Sequence, residues 1–245
     1  MTSSTTIANR SVLVTGANRG LGQALVEEVL RRGAKRVYAG TRQPYTHPDH
    51  RVRPLALDVT DLAQIQAAVD EVDSLDLLIN NAGVSLPDDL GGRDPLEHHL
   101  AVNLYGTWDV TRGFLPALTR SHGTIVNVVS LAAMAAVPVL PAYSISKAAL
   151  FALTQSQRAL LAARGVTVHA VMAGPIDTDM VRALNVPKTA PEIVARGVLD
   201  GVERGEEEIF PDPMSATRAA GWFSGDAKAL ERQNAAMVQT EPLAA

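Results

Sequence analysis

The sequence predicts an α/β fold, a doubly wound parallel sheet of about seven strands with helices on both faces. Three observations predict it. Short apolar runs alternate with amphipathic helical patterns along the chain. The first apolar run passes directly into a glycine-rich turn that opens a helix, Thr15-Gly16-Ala17-Asn18-Arg19-Gly20-Leu21-Gly22. Small and polar residues recur where the apolar runs end, and sheets of this kind take their ligands at the carboxyl ends of the strands.

Composition bounds the rest. The chain has 245 residues, 47% of them hydrophobic, enough for one domain over 1–245 with a substantial core. Residues 1–9 are expected to be a flexible N-terminus, and 211–245 a helical C-terminal extension. A net charge of −4 gives no basic surface for nucleic acid or an anionic membrane. There is no cysteine, which excludes disulfides and thiol chemistry. No apolar run reaches membrane-spanning length and the first residues lack an apolar signal core, so a soluble, cytoplasmic protein is expected.

In chain order, Ser11 to Val14 reads as a buried strand, followed by a helix carrying Leu21, Leu25, Val29 and Leu30 up to Gly33. Strand, glycine turn and helix form the setting of a dinucleotide fingerprint: glycines let the backbone approach a pyrophosphate, and the helix N-terminus faces its charge. Arg36 to Gly40 is the second strand. NAD-selecting folds usually place an acid at its end, but here the sequence is Gly40-Thr41-Arg42. The missing acid, with Arg19 and Arg42 as cations for a 2′-phosphate, favours NADP(H). His47 and His50 flank a proline in a loop and read as solvated, not as metal ligands.

Val52 to Leu57 is a third strand, closed by Asp58-Val59. Thr60 or Asp61 caps a helix through Leu62, Ile65, Ala68, Val69 and Val72. Leu75 to Ile79 is a fourth strand ending in Asn80-Asn81-Ala82-Gly83. Asp94 is expected as an N-cap with Pro95 behind it, starting a long helix from Leu96 to Leu118. Asn103 lies inside that helix, where asparagine is a poor fit without a purpose. His98 and His99 are adjacent, point apart, and read as surface or interface residues. Gly123 to Val129 is a fifth strand ending at Ser130, followed by an apolar loop to Pro141.

The next helix, to about Arg164, carries Tyr143 and Lys147. Four residues apart, a phenol and an ammonium share one helix face. A free Tyr has a pKa near about 10, and a fixed positive charge beside it lowers that value. The pair is thus a device for moving a proton near neutral pH. Val166 to Val171 is the sixth strand, followed by Ala173-Gly174-Pro175-Ile176-Asp177-Thr178. Met180 to Pro187 reads as a short lid, Thr189-Ala190-Pro191-Glu192 as a capping box, Glu206 to Glu208 as a solvated turn, and Ile209-Phe210 as the last strand. A helical tail from Met214 to Met237 is anchored by Trp222 and Phe223.

Taken together, Thr15-Gly-x-x-x-Gly20-x-Gly22, Asp58-Val59, Asn80-Asn-Ala-Gly83, Asn103, Ser130 and Tyr143-x-x-x-Lys147 resemble the motifs of the short-chain dehydrogenase/reductase family, in its compact single-domain, Rossmann-type branch. The resemblance spans Ser11 to about Phe210, and the 13-residue interval from Ser130 to Tyr143 fits it. It implies roles. Tyr143 would be the general acid in carbonyl reduction and the base in alcohol oxidation. Ser130 would hold the substrate oxygen, Lys147 would bind the nicotinamide ribose and acidify Tyr143, and Asn103 would help place a water in a proton relay. The implied cofactor contacts are Gly16, Asn18, Arg19, Gly20, Leu21 and Gly22 in the turn, Arg42, Asp58 and Val59 on the adenosine side, Asn81, Ala82 and Gly83 in the channel, Tyr143 and Lys147, and Gly174, Ile176 and Thr178. One departure stands out: the family's Pro-Gly is Ala173-Gly174 here, and a looser backbone is expected because alanine does not fix φ.

The expected activity is an NADP(H)-dependent carbonyl reductase or secondary alcohol dehydrogenase. Ala132, Val137, Leu140, Ala173 and Met180, with Ala133 and Leu184 near them, would give an apolar pocket for a hydrophobic ketone or aldehyde; Arg182 or Lys188 are the charged residues nearby. A catalytically silent NADP(H)-binding regulator or scaffold is the alternative, and the intact Asn103, Ser130, Tyr143 and Lys147 speak against it. A homodimer or homotetramer is expected, formed by the two long helices, with no metal, nucleic acid or membrane partner.

Overall fold

The computed structural model describes residues 6–240. Seven parallel strands form one sheet: β1 (Ser11–Thr15), β2 (Arg36–Thr41), β3 (Val52–Ala56), β4 (Leu77–Asn80), β5 (Thr124–Val128), β6 (Thr167–Val171) and β7 (Glu208–Ile209). Their order is β3-β2-β1-β4-β5-β6-β7, so the direction of winding reverses between β1 and β4. That crevice is where such a sheet opens to a ligand.

Successive residues of a strand face opposite sides, and both sides are covered. In β1, Val12 and Val14 join a core shared with helices α1 (Gly20–Arg31) and α6 (Pro191–Arg204). Leu13 between them joins the core on the other face, under α2 (Leu62–Glu71) and α4 (Thr107–Ser121). Helix α3 (Asp94–Leu100) leads through a π-helical segment, Ala101–Gly106, into α4, and α5 (Pro141–Leu161) lies against β6. The tail forms α7 (Pro213–Phe223) and α8 (Asp226–Thr240). Buried amides tie strands to helices: Asn80 Nδ2 donates to Asn127 Oδ1 (2.9 Å) and Thr111 Oγ1 (3.0 Å), and Asn127 Nδ2 donates to Thr154 Oγ1 (3.0 Å) and Gln157 Oε1 (3.1 Å). This polar line joins β4 and β5 to α4 and α5, the platform of the site.

Several local expectations are corrected. Of the N-terminus expected to be flexible, residues 1–5 lie outside the described residues, but Ile7 is fully buried and Asn9 N donates to Gly33 O (2.9 Å). Asp94 is the first helical residue and Arg93 the N-cap. The long helix is interrupted by the π segment. No capping box forms at Thr189; its backbone instead pairs with Ile176 and Asp177 and closes the base of the preceding loop, leaving Ala190 as N-cap.

Glu208 is not in a solvated turn. Its side chain is fully buried at the sheet edge, within 2.8 Å of Arg158 Nη1 and Lys228 Nζ, and it accepts from Trp222 Nε1 at 2.9 Å. Lys228, equally buried, also pairs with Glu207 (2.7 Å) and Glu231 (2.8 Å). This cluster fastens the tail to β7 and α5. The tail is two helices, broken at Ser224-Gly225, and its residues 241–245 lie outside the described residues. Trp222 packs on Phe151 (ring centroids 5.3 Å) and Phe223 on Phe210 (6.0 Å).

Candidate active site

The carboxyl ends of the strands open into a cleft of about 630 Å³. Its floor is the turn between β1 and α1. Gly16 (φ +64°) and Gly20 (φ +53°) hold left-handed conformations that side-chain-bearing residues avoid. A Cβ on Gly20 would lie 3.0 Å from the Thr178 methyl, and one on Gly22 would lie 2.0 Å from the Gly16 carbonyl oxygen. Gly22 therefore lets helix and turn pack together and does not itself line the cleft. Asn81 secures the turn, donating from Nδ2 to Thr15 O (2.9 Å) and Gly16 O (3.2 Å), while the Asn81 and Ala82 amides both donate to Thr15 Oγ1 (3.0 Å).

Gly16, Asn18, Arg19, Gly20 and Leu21 line one stretch of the cleft, with Arg42, Asp58 and Val59 beyond them. Asp58 Oδ1 accepts from Thr60 N (2.9 Å) and Thr60 Oγ1 (2.8 Å). Arg19 reaches across to Asp179, 3.5 Å away. Arg42 makes no ion pair among the described residues. Asn81, Ala82 and Gly83 line the middle, and Gly174, Ile176 and Thr178 the opposite wall. A backbone cradle that excludes side chains, a helix N-terminus at its end and two cations beside it form a surface that fits a dinucleotide phosphate chain.

The chemistry-bearing side chains meet at the inner end. Ser130 follows β5, and its Oγ accepts from Ala132 N (3.1 Å), which fixes the hydroxyl. Tyr143 stands in the first turn of α5, whose Ala142 amide donates to the Asp88 carboxylate (3.2 Å). One turn on, Lys147 is buried and donates from Nζ to Val128 O (2.8 Å), at the end of β5. Its ammonium lies 5.8 Å from the Tyr143 ring centre. Burial pushes the Tyr143 phenol above its ordinary pKa, and the hydrogen bond with Ser130 opposes that. Burial also lowers Lys147, to about 8. The expected acidification of Tyr143 by Lys147 is therefore not the leading effect: desolvation wins, and the phenol stays protonated at neutral pH.

Asn103 does not line the cleft. It is fully buried in the π segment, with Nδ2 donating to Val84 O (3.0 Å) and Ser146 Oγ (2.9 Å) and Oδ1 accepting from Val84 N (2.8 Å). A Cβ added to Gly83 would lie 3.2 Å from Asn103 Oδ1 and 3.7 Å from Lys147 Nζ, so all three border one space. A π turn re-aims side chains relative to a regular helix, which accounts for an asparagine there.

His99 was missed by sequence reasoning. It is fully buried, not on the surface; Nδ1 bonds Pro95 O (2.6 Å), Nε2 accepts from Leu86 N (3.0 Å), and its ring meets Tyr143 edge-on, with centroids 6.4 Å apart. The neighbouring His98 is exposed and lines the cleft. Adjacent helix positions point apart, so the two histidines take different surroundings, and nothing in the sequence marked His99 as the inward one.

Of the expected substrate wall, Ala173 and Met180 line the cleft. Ala132, Val137 and Leu140 do not. Their loop folds back on α5: Val137 N donates to Ser144 Oγ (3.0 Å), and Leu140 O accepts from Ser144 N (3.0 Å) and Oγ (2.9 Å).

A model of the family described as short chain dehydrogenase matches residues 10–188. The chain belongs to this short-chain dehydrogenase family. It is 32% identical to 3-oxoacyl-(acyl-carrier-protein) reductase of Vibrio harveyi, over 73% of this chain and 78% of the relative. It is 30% identical to a dehydrogenase/reductase SDR family protein 7-like of Anopheles gambiae, over 86% of this chain and 77% of the relative. A solved short-chain dehydrogenase of Burkholderia cenocepacia, in complex with NADP, matches with 38% identity and a TM-score of 0.85, covering 94% of this chain and 98% of that one. The glycine cradle and the Ser130, Tyr143 and Lys147 cluster thus belong to a short-chain dehydrogenase fold, and the chain is an oxidoreductase of that family.

Proposed function

We propose that the protein is an NADP(H)-dependent carbonyl reductase, equally able in principle to run as a secondary alcohol dehydrogenase, acting on a hydrophobic ketone or aldehyde. The observation that carries the reading is the meeting of Ser130, Tyr143 and Lys147 at the end of β5, in the same cleft as a glycine cradle with Arg19 and Arg42 beside it. The NADP complex of the Burkholderia relative supports the choice of cofactor. The residues that would hold it are Gly16, Asn18, Arg19, Gly20 and Leu21 at the phosphates, Arg42 at the 2′-phosphate, Asp58 and Val59 at the adenine, and Asn81 to Gly83, Tyr143, Lys147, Gly174, Ile176 and Thr178 along the remainder.

When bound, the nicotinamide supplies the hydride. The protein's own work is to place the carbonyl and complete the charge balance. Ser130 and Tyr143 donate hydrogen bonds to the carbonyl oxygen and stabilise the negative charge that develops there. Tyr143, kept protonated by burial, gives its proton to that oxygen, and the Lys147 ammonium stabilises the phenolate left behind. Asn103 fixes Val84 and the start of the channel beside Lys147. Ala173, Met180 and Val181 give the substrate end an apolar wall. The reading includes a homo-oligomer formed through the outer faces of α4, with the π segment before it, and α5, where Tyr105 of the π segment and Trp108 of α4 stand half exposed.

The test is initial-rate NADPH and NADH oxidation against a panel of aliphatic and aromatic ketones and aldehydes. Turnover of apolar carbonyls with NADPH preferred is the expected result. Tight NADPH binding with no turnover across the panel would favour the silent-binder alternative.

A further inference from the structure

Strand β6 and its continuation present three N–H groups along one edge. Ala170, Met172 and Gly174 are two residues apart, so in an extended chain their amides leave the same side. The first two find carbonyls on the β7 side: Ala170 N donates to Glu207 O (2.9 Å) and Met172 N to Ile209 O (2.8 Å). The next carbonyl in that row belongs to Pro211, but it is turned toward α6, where a Cβ on Gly197 would lie 2.5 Å from it. A side chain takes its place. Gly174 N donates to Asp212 Oδ2 at 2.8 Å.

The same carboxylate caps α7. Oδ1 accepts from the Met214 and Ser215 amides, each at 3.0 Å, and Ser215 Oγ donates to Oδ2 at 2.7 Å. Asp212 is only 4% exposed and Ser215 is fully buried. On the other edge of the segment, Leu131 N donates to Ala173 O (3.0 Å). The Ala173-Gly174 backbone, free of the φ restraint a proline would impose, is thus clamped from both sides, and one jaw belongs to the C-terminal helices.

Gly174 begins the cleft wall that continues through Ile176 and Thr178. We infer that Asp212 is a positioning residue for the dinucleotide site, fastening this wall to α7 so that NADP(H) affinity depends on the tail beyond Phe210. The inference rests on the NADP(H) reading of the cleft. Its chemical core is that two oxygens are needed. A side chain with one acceptor can cap α7 or receive the Gly174 amide, and only a carboxylate does both.

Two substitutions separate the roles. In Asp212→Ser the hydroxyl is a good N-cap but leaves Gly174 N without its acceptor. In Ser215→Ala the capping box is weakened while the Asp212–Gly174 bond remains. NADPH dissociation constants from fluorescence titration, with Tm of the full chain alongside, are the readouts. The expected result is a Kd raised about tenfold or more in Asp212→Ser, because the wall is no longer held in its binding geometry, with Tm lowered as the Gly174 amide loses its acceptor, and a Kd within about twofold of wild type in Ser215→Ala. Unchanged affinity in Asp212→Ser overturns the inference while leaving the cofactor reading intact. Equal weakening in both variants overturns it too, by reducing Asp212 to a helix cap. A wild-type chain that does not bind NADPH overturns the cofactor reading and the inference with it.

Discussion

Lys147 is expected to set an alkaline limit on the reaction. Burial lowers its pKa from 10.5 to about 8, and its Nζ donates to Val128 O. Carbonyl reduction needs the ammonium form, which stabilises the Tyr143 phenolate, whereas Tyr143 itself is held protonated to higher pH by burial. The value of kcat/KM for reduction should therefore be level below pH about 8 and fall toward tenfold per pH unit above it. Lys147→Arg keeps a charge that does not titrate in this range, so its profile should lose that limb even if its plateau is lower. The same shift bears on stability. Between pH about 8 and 10.5 the unfolded chain holds one more proton at this residue than the folded chain, so folding gains as pH rises. The cost of burying the charge, about 3 kcal/mol from the size of the shift, is fully present below the folded pKa and gone above the unfolded one. Initial rates from pH about 6 to 10, with urea unfolding of wild type and Lys147→Met near pH 7 and 10, measure both effects. An identical alkaline limb in wild type and Lys147→Arg, or the same pH trend in stability for wild type and Lys147→Met, would refute the assignment.

Two further outcomes are expected. Arg42→Ala should weaken NADPH by about 10- to 100-fold, the worth of one or two charge-assisted bonds to a phosphate, and leave NADH within about twofold; equal losses for both cofactors would show that Arg42 does not read the 2′-phosphate. Lys228→Met should cost about 3–5 kcal/mol in urea unfolding, because it leaves Glu207, Glu208 and Glu231 gathered around Arg158 alone; a loss under about 1 kcal/mol would mean that the cluster is not what holds the tail.

The sheet was legible in the sequence because strands buried on both faces read as unbroken apolar runs, and glycine placed the first turn. The order of residues along the cleft followed from the strand ends. What escaped were features decided by tertiary partners. Glu208 looks like one of three solvated acids until Arg158, Trp222 and Lys228 converge on it from three helices, α5, α7 and α8. Thr189 has a capping residue's identity, but its backbone N–H donates to Pro175 O and its carbonyl accepts from Asp177 N, on either side of Ile176. His99 was inseparable from His98 until the Leu86 amide and Pro95 carbonyl faced it. The expected looseness at Ala173-Gly174 failed for a similar reason, since the restraint comes from Asp212, 38 residues on. The apolar loop after Ser130 was expected to wall the substrate pocket, but Ala132, Val137 and Leu140 do not line the cleft, and backbone hydrogen bonds to Ser144 hold the loop on α5.

The most direct test of the central claim is Tyr143→Phe beside wild type, with NADPH binding and carbonyl turnover measured on the same preparations. The phenyl ring keeps the contact with His99 and the packing of α5, and removes only the hydroxyl that Ser130 engages. NADPH affinity within a few-fold of wild type, with kcat lowered by about two to four orders of magnitude, is the predicted result. Turnover retained at the wild-type rate would contradict the account, because the proton would then come from a group other than Tyr143.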